Sequence, residues 1–172
     1  TVNMTPSITT QPVSQAAIPG ASSTFSVAAT GAPVPSYQWY KGSDPIQGAN
    51  AASYTINHVS TGDAGQYKVV VTNPVGTATS NAVALMVNIP PVITTQPAAS
   101  KSVLLGTAVD FIVVAMGTPQ PTYQWYKDGS AISGATAATY PITGASSANV
   151  GTYYVQVIST GGLVSSTSAT FA

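Results

Sequence analysis

Alternation with a period of two marks the best-defined segments of the chain. In QYKVVVT, Tyr67, Val69 and Val71 fall on one side and Lys68 and Val70 on the other. In YYVQVIS, Tyr153, Val155 and Val157 face one way, and Tyr154, Gln156 and Ile158 the other. Successive side chains leave a strand on opposite faces, so this pattern predicts half-buried strands. The runs FSVAA and FIVVA are apolar and rich in β-branched or aromatic residues, and they are predicted as strands too. KGSDP, KDGS, STGDAG, NPVG and STGG supply turn chemistry between such segments. No segment carries a sustained apolar stripe of helical period. The predicted class is all-β, built as antiparallel sandwiches.

The pattern occurs twice. Trp39 and Trp125 are 86 residues apart, and the same offset relates Phe25 to Phe111, Ile46 to Ile132, Tyr54 to Tyr140, Tyr67 to Tyr153 and Val69 to Val155. A period of that size is a domain, not a short solenoid repeat. Two domains are therefore expected, 1–88 and 89–172. VNIPPVITTQP joins them; Val87 is expected to end one domain and Val92 to open the next. Two prolines stiffen the join through Asn88–Val92 and remove backbone donors, so an end-to-end arrangement with limited bending is expected. The second copy stops at Phe171–Ala172, where the first continues through Met86–Val87, so its last strand is expected to be clipped by about two residues. No leader-like segment opens the chain, and a mature product or an excised fragment is expected.

Composition narrows the partners. Of the 172 residues, 44% are hydrophobic and 5% charged, with four lysines, four aspartates and zero net charge. Nucleic acid is excluded as an expected partner, because phosphates need a basic stripe that four scattered lysines cannot build. Membrane insertion is not expected: the longest apolar runs, such as Ala82–Val87, are far too short to span a bilayer. Cysteine is absent, which removes disulfides and thiol chemistry. The uncharged, Thr- and Ser-rich character of the polar positions favours an extracellular or cell-surface location.

YQWYK follows a Gly-x-Pro-x-Pro run in both copies, as VAATGAPVPSYQW and VVAMGTPQPTYQW, and each copy later carries DAGQYKV or NVGTYYV. In this arrangement the chain resembles the immunoglobulin superfamily in its intermediate-set form, over almost its whole length. The resemblance implies a tryptophan on strand C, Trp39 and Trp125, packed against a strand B to strand F disulfide. Here Val27 and Val69, and Val113 and Val155, occupy the implied cysteine positions. It also implies that Tyr67 and Tyr153 form tyrosine corners, bonding to backbone a few residues upstream. Asn149 replaces the Asp63 of the first copy, which leaves that local bonding open in the second. The cysteine-free tandem style is similar to that of bacterial surface domains. Loss of a disulfide costs a small domain roughly 2–5 kcal/mol, and each buried valine returns about 1.5–3 kcal/mol. The tryptophans are thus expected as core pins.

Candidate chemistry is sparse. His58 is the one histidine and is expected in a surface turn, with too few companions for a zinc site. Asp44, Asp63, Asp110 and Asp128 are spread along the sequence, unlike the close acid pair that glycoside hydrolysis needs. Asp63 with backbone carbonyls is a weak calcium candidate. The similarity to bacterial surface domains implies Lys68 and Lys101 as candidates for an isopeptide crosslink, with a solvated lysine the plainer account. No catalytic residue, cofactor or metal is expected.

One surface is singled out. Alternation turns Tyr126 and Gln124 outward on strand C, and Tyr154, Gln156 and Ile158 outward on strand F; the first-domain equivalents are Gln38, Tyr40, Lys68 and Val70. Aromatic rings among amides suit a protein interface or a sugar-stacking platform. Ordinary cross-strand pairing on a β surface is the plainer account. The expected function is a non-enzymatic structural or adhesive module of a secreted or surface protein, including a self-assembling filament subunit. That subunit could be extended by Thr1–Ile8 completing another chain's clipped last strand. The alternatives are a carbohydrate-binding accessory module of a larger secreted enzyme, or a viral surface decoration. The expected partner is accordingly a protein, through self-association or a surface contact, or a polysaccharide.

Overall fold

A computed structural model describes residues 3–172. The chain divides into two compact units, Thr1–Val87 and Asn88–Ala172, one residue before the boundary expected from the sequence. Unit 1 contains β1 (Met4–Thr10), β2 (Gln15–Ala17), β3 (Ser23–Ser26), β4 (Ala28–Ala32), β5 (Ser36–Lys41), β6 (Asp44–Pro45), β7 (Ser53–Ile56), β8 (Gly65–Asn73), β9 (Gly76–Thr79) and β10 (Val83–Val87). Unit 2 repeats the series as β11 (Ile89–Thr95), β12 (Ser100–Lys101), β13 (Val109–Ile112), β14 (Val114–Thr118), β15 (Thr122–Lys127), β16 (Ser130–Ala131), β17 (Thr139–Ile142), β18 (Gly151–Ser159), β19 (Gly162–Ser165) and β20 (Ala169–Phe171).

In unit 1 one sheet runs β2-β10-β8-β5-β6, with β9 also on β8; the opposing layer is made of the β1–β4 and β3–β7 ladders. β2 lies parallel to β10, while β5 and β8 pair antiparallel with Trp39 opposite Val69. Unit 2 has the same order, with Trp125 opposite Val155. β11 opens at Ile89, not at the expected Val92. Ile89 pairs with Thr118 and a register shift precedes the Val92–Met116 pair, so the ladder passes the donorless Pro90 and Pro91 through an irregularity.

The cores are the inward rows predicted by the alternation. Trp39, Phe25, Val69 and Val71 are fully buried in unit 1, and Trp125, Phe111, Val155 and Val157 in unit 2. Val27, between β3 and β4, and Val113, between β13 and β14, belong to the same two clusters. Phe25 stacks on Tyr67 at 4.9 Å between ring centroids, and Phe111 on Tyr153 at 4.8 Å. Valine and stacked rings fill the space where the family resemblance implied sulfur.

Each tryptophan also shapes the crossover beside it. Trp39 Nε1 donates to the Ala51 carbonyl at 3.0 Å. Its backbone N–H donates to Ala49, and its carbonyl accepts from Ile46. Gln38 Nε2 donates to the Ile46 carbonyl at 2.8 Å. Trp125 and Gln124 repeat these bonds with Ala137, Ala135 and Ile132. Backbone groups of Ile46, Ala49 and Ala51 in this irregular segment are thereby satisfied without another strand.

Among the described residues, unit 1 holds one unsatisfied buried side chain. The hydroxyl of buried Ser23 has no hydrogen-bond partner, and the equivalent position in unit 2 is Val109. Ser23→Ala is expected to stabilise unit 1 by about 1 kcal/mol, because the orphaned hydroxyl loses its solvation and gains nothing. Trp125→Ala is expected to destabilise unit 2 by roughly 3–5 kcal/mol. Urea unfolding checks both: Ser23→Ala is read by Trp39 fluorescence in a Trp125→Phe background, and Trp125→Ala by circular dichroism, since Trp39 reports unit 1; an unchanged midpoint for the unit concerned contradicts the assignment.

Candidate functional site

Strands β15 and β18 place Tyr126 directly opposite Tyr154. Their rings stack at 4.8 Å with planes 4° apart. That spacing is too short for two rings lying side by side, so each covers one face of the other. Tyr126 Oη also bonds Gln156 Oε1 at 3.0 Å, one diagonal step along the strand. Ile158 continues the outward row and is 38% exposed. The sequence-predicted set Tyr126, Tyr154, Gln156 and Ile158 is therefore brought onto one surface.

The equivalent surface of unit 1 is built differently. Tyr40 faces Lys68 across the ladder, and the Lys68 ammonium sits 5.8 Å above the Tyr40 ring. Val70 follows on the same face, half-buried. One copy thus pairs a ring with a cation where the other pairs two rings. Gln38 and Gln124 point toward this side but are committed to the backbone bonds described above.

The remaining candidates have structural partners. Tyr67 Oη donates to the Asp63 carbonyl at 2.7 Å, and Tyr153 Oη to the Asn149 carbonyl at 2.7 Å. Both tyrosine corners are formed. Burial first, then Asp63 and Tyr54, pushes the Tyr67 hydroxyl up to about 12. Burial, then Tyr140 and Asp128, does the same at Tyr153, also to about 12. The Asp63 carboxylate accepts from the Ser60 hydroxyl and backbone N–H, both at 2.7 Å. Asn149 Oδ1 accepts the same two bonds from Ser146 at 2.8 and 2.9 Å, so the amide does the carboxylate's work in unit 2.

Asp44 and Asp110 are exposed on β6 and β13. Asp128 Oδ1 accepts from Thr152 N–H at 2.8 Å, and Lys127 lies 3.9 Å from its other oxygen. His58 is exposed. Lys41 donates to the Gly62 carbonyl, and Lys127 to Ala148 at 2.6 Å. Lys101 takes its place in β12, beside β20. Among the described residues no three His, Cys, Asp or Glu side chains gather as metal ligands.

Strand donation by Thr1–Ile8 loses its basis. Met4–Thr10 is already β1, paired with β4 of its own unit. Asn73 Nδ2 clamps the Met4 carbonyl at 2.8 Å and the Pro33 carbonyl at 2.9 Å. Thr1 and Val2 lie outside the described residues. β20 is shorter than β10, yet it sits between β12 and β18 and is not an open edge. The sequence marks Asn73 only as the head of an Asn-Pro turn; its 69-residue reach to Met4 is visible only in the fold.

Two antiparallel sandwiches, each with a tryptophan pin, a tyrosine corner and a first-sheet strand parallel to the last, define the class of module. The chain belongs to the immunoglobulin domain family, whose model matches residues 5–73 and 90–158. It is similar to mouse hemicentin-2, at 38% identity over 135 residues, covering 74% of this chain and 3% of that protein. It is similar to endoglucanase C of Cellulomonas fimi, at 32% over 124 residues, covering 70% of this chain and 11% of that protein. Immunoglobulin domains 1–4 of Sidekick-1 superpose with a TM-score of 0.88 at 22% identity, over 98% of this chain and 48% of that one, a likeness of fold. The chain thus spans a small part of the relatives it matches. Those relatives come from an animal and from Cellulomonas fimi, so they do not single out the bacterial surface type.

The Asp63–Asn149 exchange makes the two units differ in acid. Hydrogen bonds from the Ser60 hydroxyl, then from its N–H, hold the Asp63 carboxyl below its ordinary value of 3.8. A lowered folded pKa contributes stability that is present above 3.8 and lost as the pH falls through the folded value. Unit 1 is therefore expected to lose stability below that point through this residue, and Asp63→Asn to remove that share of the acid dependence. Thermal unfolding across pH 2 to 7, with unit 1 reported by Trp39 in a Trp125→Phe background, checks it. An unchanged acid profile in Asp63→Asn contradicts the expectation.

Proposed function

We propose that the chain serves as a structural or adhesive pair of immunoglobulin modules within a secreted or cell-surface protein, gripping a protein partner through the outer β15–β18 face. The observation that carries this is the stacked Tyr126–Tyr154 pair with its Gln156 bond. Its ring edges, hydroxyl and amide groups are held fixed before any partner arrives, so little side-chain entropy is lost on contact. Aromatic anchors among uncharged polar groups are the composition that protein interfaces favour. Repeated use of such a face along a longer assembly is how the module would serve an extracellular filament.

A second reading is a polysaccharide-binding accessory module of a larger secreted enzyme. The similarity to endoglucanase C favours it. The ring geometry counts against it, because a sugar stacks on an open ring face, whereas Tyr126 and Tyr154 each cover one face of the other and the Tyr40 ring lies beneath Lys68.

Beads carrying the chain are expected to adhere to surfaces coated with extracellular matrix proteins, and the Tyr126→Ala/Tyr154→Ala pair to lower adhesion at least about tenfold. In native gels cast with soluble cellulose derivatives, xylan or β-glucan, mobility is expected to be unchanged. Retardation by one of these glycans that Tyr154→Ala removes, with no protein-dependent adhesion, replaces this reading with the accessory-module one.

A further inference from the structure

The two copies give each outward position an internal control. Along β13–β14 burial alternates cleanly: Phe111, Val113 and Ala115 turn inward, and Ile112, Val114 and Met116 turn outward. The inward residues match those of unit 1, where Phe25, Val27 and Ala29 stand. The outward ones do not. Unit 1 has Ser26, Ala28 and Thr30 at those positions, and Ser7 where unit 2 has Val92. The ladders confirm the equivalence, since Ser7 pairs with Thr30 and Val92 with Met116. Ile112, Val114, Val92 and Met116 are 50%, 46%, 58% and 64% exposed. The same strand pair thus shares its core between the units but carries a row of small, mostly polar residues in unit 1 and a large apolar row in unit 2.

Core packing does not account for the difference, because these side chains leave the core. The four leave on the order of 400 Å² of apolar surface in water, the size of the largest patch on a typical monomer, which is often functional. With the flanking exposed Thr118 and Pro141 the footprint is on the order of 500 Å² per copy, or about 1,000 Å² if two such faces meet, the size of a weak, reversible interface.

We propose that this outer face of unit 2 is covered in solution by the same face of a second copy of the chain, as a two-fold dimer. A two-fold axis near Val114 sets the row against itself in reverse, so Met116 meets the partner's Ile112 end and Val114 lies at the centre. Asp110 is the one charged residue on the outward row of β13–β14, at its end. The reversal sends the two Asp110 carboxylates to opposite ends, where they do not oppose each other. An apolar row needs an apolar mate to leave water, and another copy of the chain carries the same row. The pairing lies on the sheet opposite Tyr126 and Tyr154, so it stands independently of the adhesive reading.

Sedimentation equilibrium of the 172-residue chain from about 1 µM to about 1 mM is expected to show reversible association that stops at two copies. The variant carrying Val92→Ser, Ile112→Ser, Val114→Ala and Met116→Thr, all residues that unit 1 already accommodates, is expected to stay monomeric. Tyr154→Ala is expected to dimerise as the parent does. The chain has no cysteine. Val114→Cys, beside the axis, is therefore expected to crosslink between copies under mild oxidation at least about tenfold faster than Ala28→Cys, a contrast of about 1.4 kcal/mol. The crosslinking keeps the proposal open to failure even if the fourfold variant misfolds. A parent chain that stays monomeric throughout, association past two copies, equal crosslinking of the two cysteine variants, or dimerisation lost in Tyr154→Ala each overturns it.

Discussion

A buried indole must hide its rings and still find an acceptor for its N–H. In each unit that requirement organises the sandwich around it. Trp39 fills the space between the sheets beside Phe25 and Tyr54, and its Nε1 bond to Ala51 draws the crossover after β6 down against the core. Its backbone N–H and carbonyl hold Ala49 and Ile46 of the same segment. Trp125 does the same to Ala137, Ala135 and Ile132. An orphaned buried N–H would cost as much as a hydrogen bond contributes, so the tryptophan and the crossover specify each other.

The absence of a cross-link between the sheets follows from the same packing. A disulfide acts largely on the unfolded chain by shortening a loop. Valines on facing strands, with Phe–Tyr stacks beside them, act instead on the folded state by removing apolar surface from water. The two routes have similar magnitude. The valine route carries no dependence on redox conditions, so these modules need no oxidising compartment to fold.

Duplication separates what the fold needs from what the surface is free to change. The tyrosine corners, the tryptophan crossovers and the serine-to-Asp63 or serine-to-Asn149 bonds are kept, although charge is lost in one copy. The outer faces diverge: Lys68 against Tyr154 on one sheet, Thr30 against Met116 on the other. An immunoglobulin sandwich supports many unrelated roles. What distinguishes this chain therefore lies in those outer rows.

The sequence alone determined the inward rows. A period of two, repeated at an offset of 86, assigned Tyr67, Val69, Tyr153 and Val155 to the core because a strand has only two faces. It also brought Tyr126 and Tyr154 to one outer surface, and the contrast between Ser26–Ala28–Thr30 and Ile112–Val114–Met116 was equally present for comparison. Tertiary structure decided what those surfaces do with their groups. Whether two outward tyrosines lie flat or stack depends on cross-strand register and rotamers, which alternation does not encode. Whether Met4–Thr10 is free or engaged depends on its ladder with β4 and on Asn73, 69 residues from Met4. Whether a short β20 leaves an edge depends on β12 lying beside it. Each is set by contacts distant in sequence, and no local pattern carries that information.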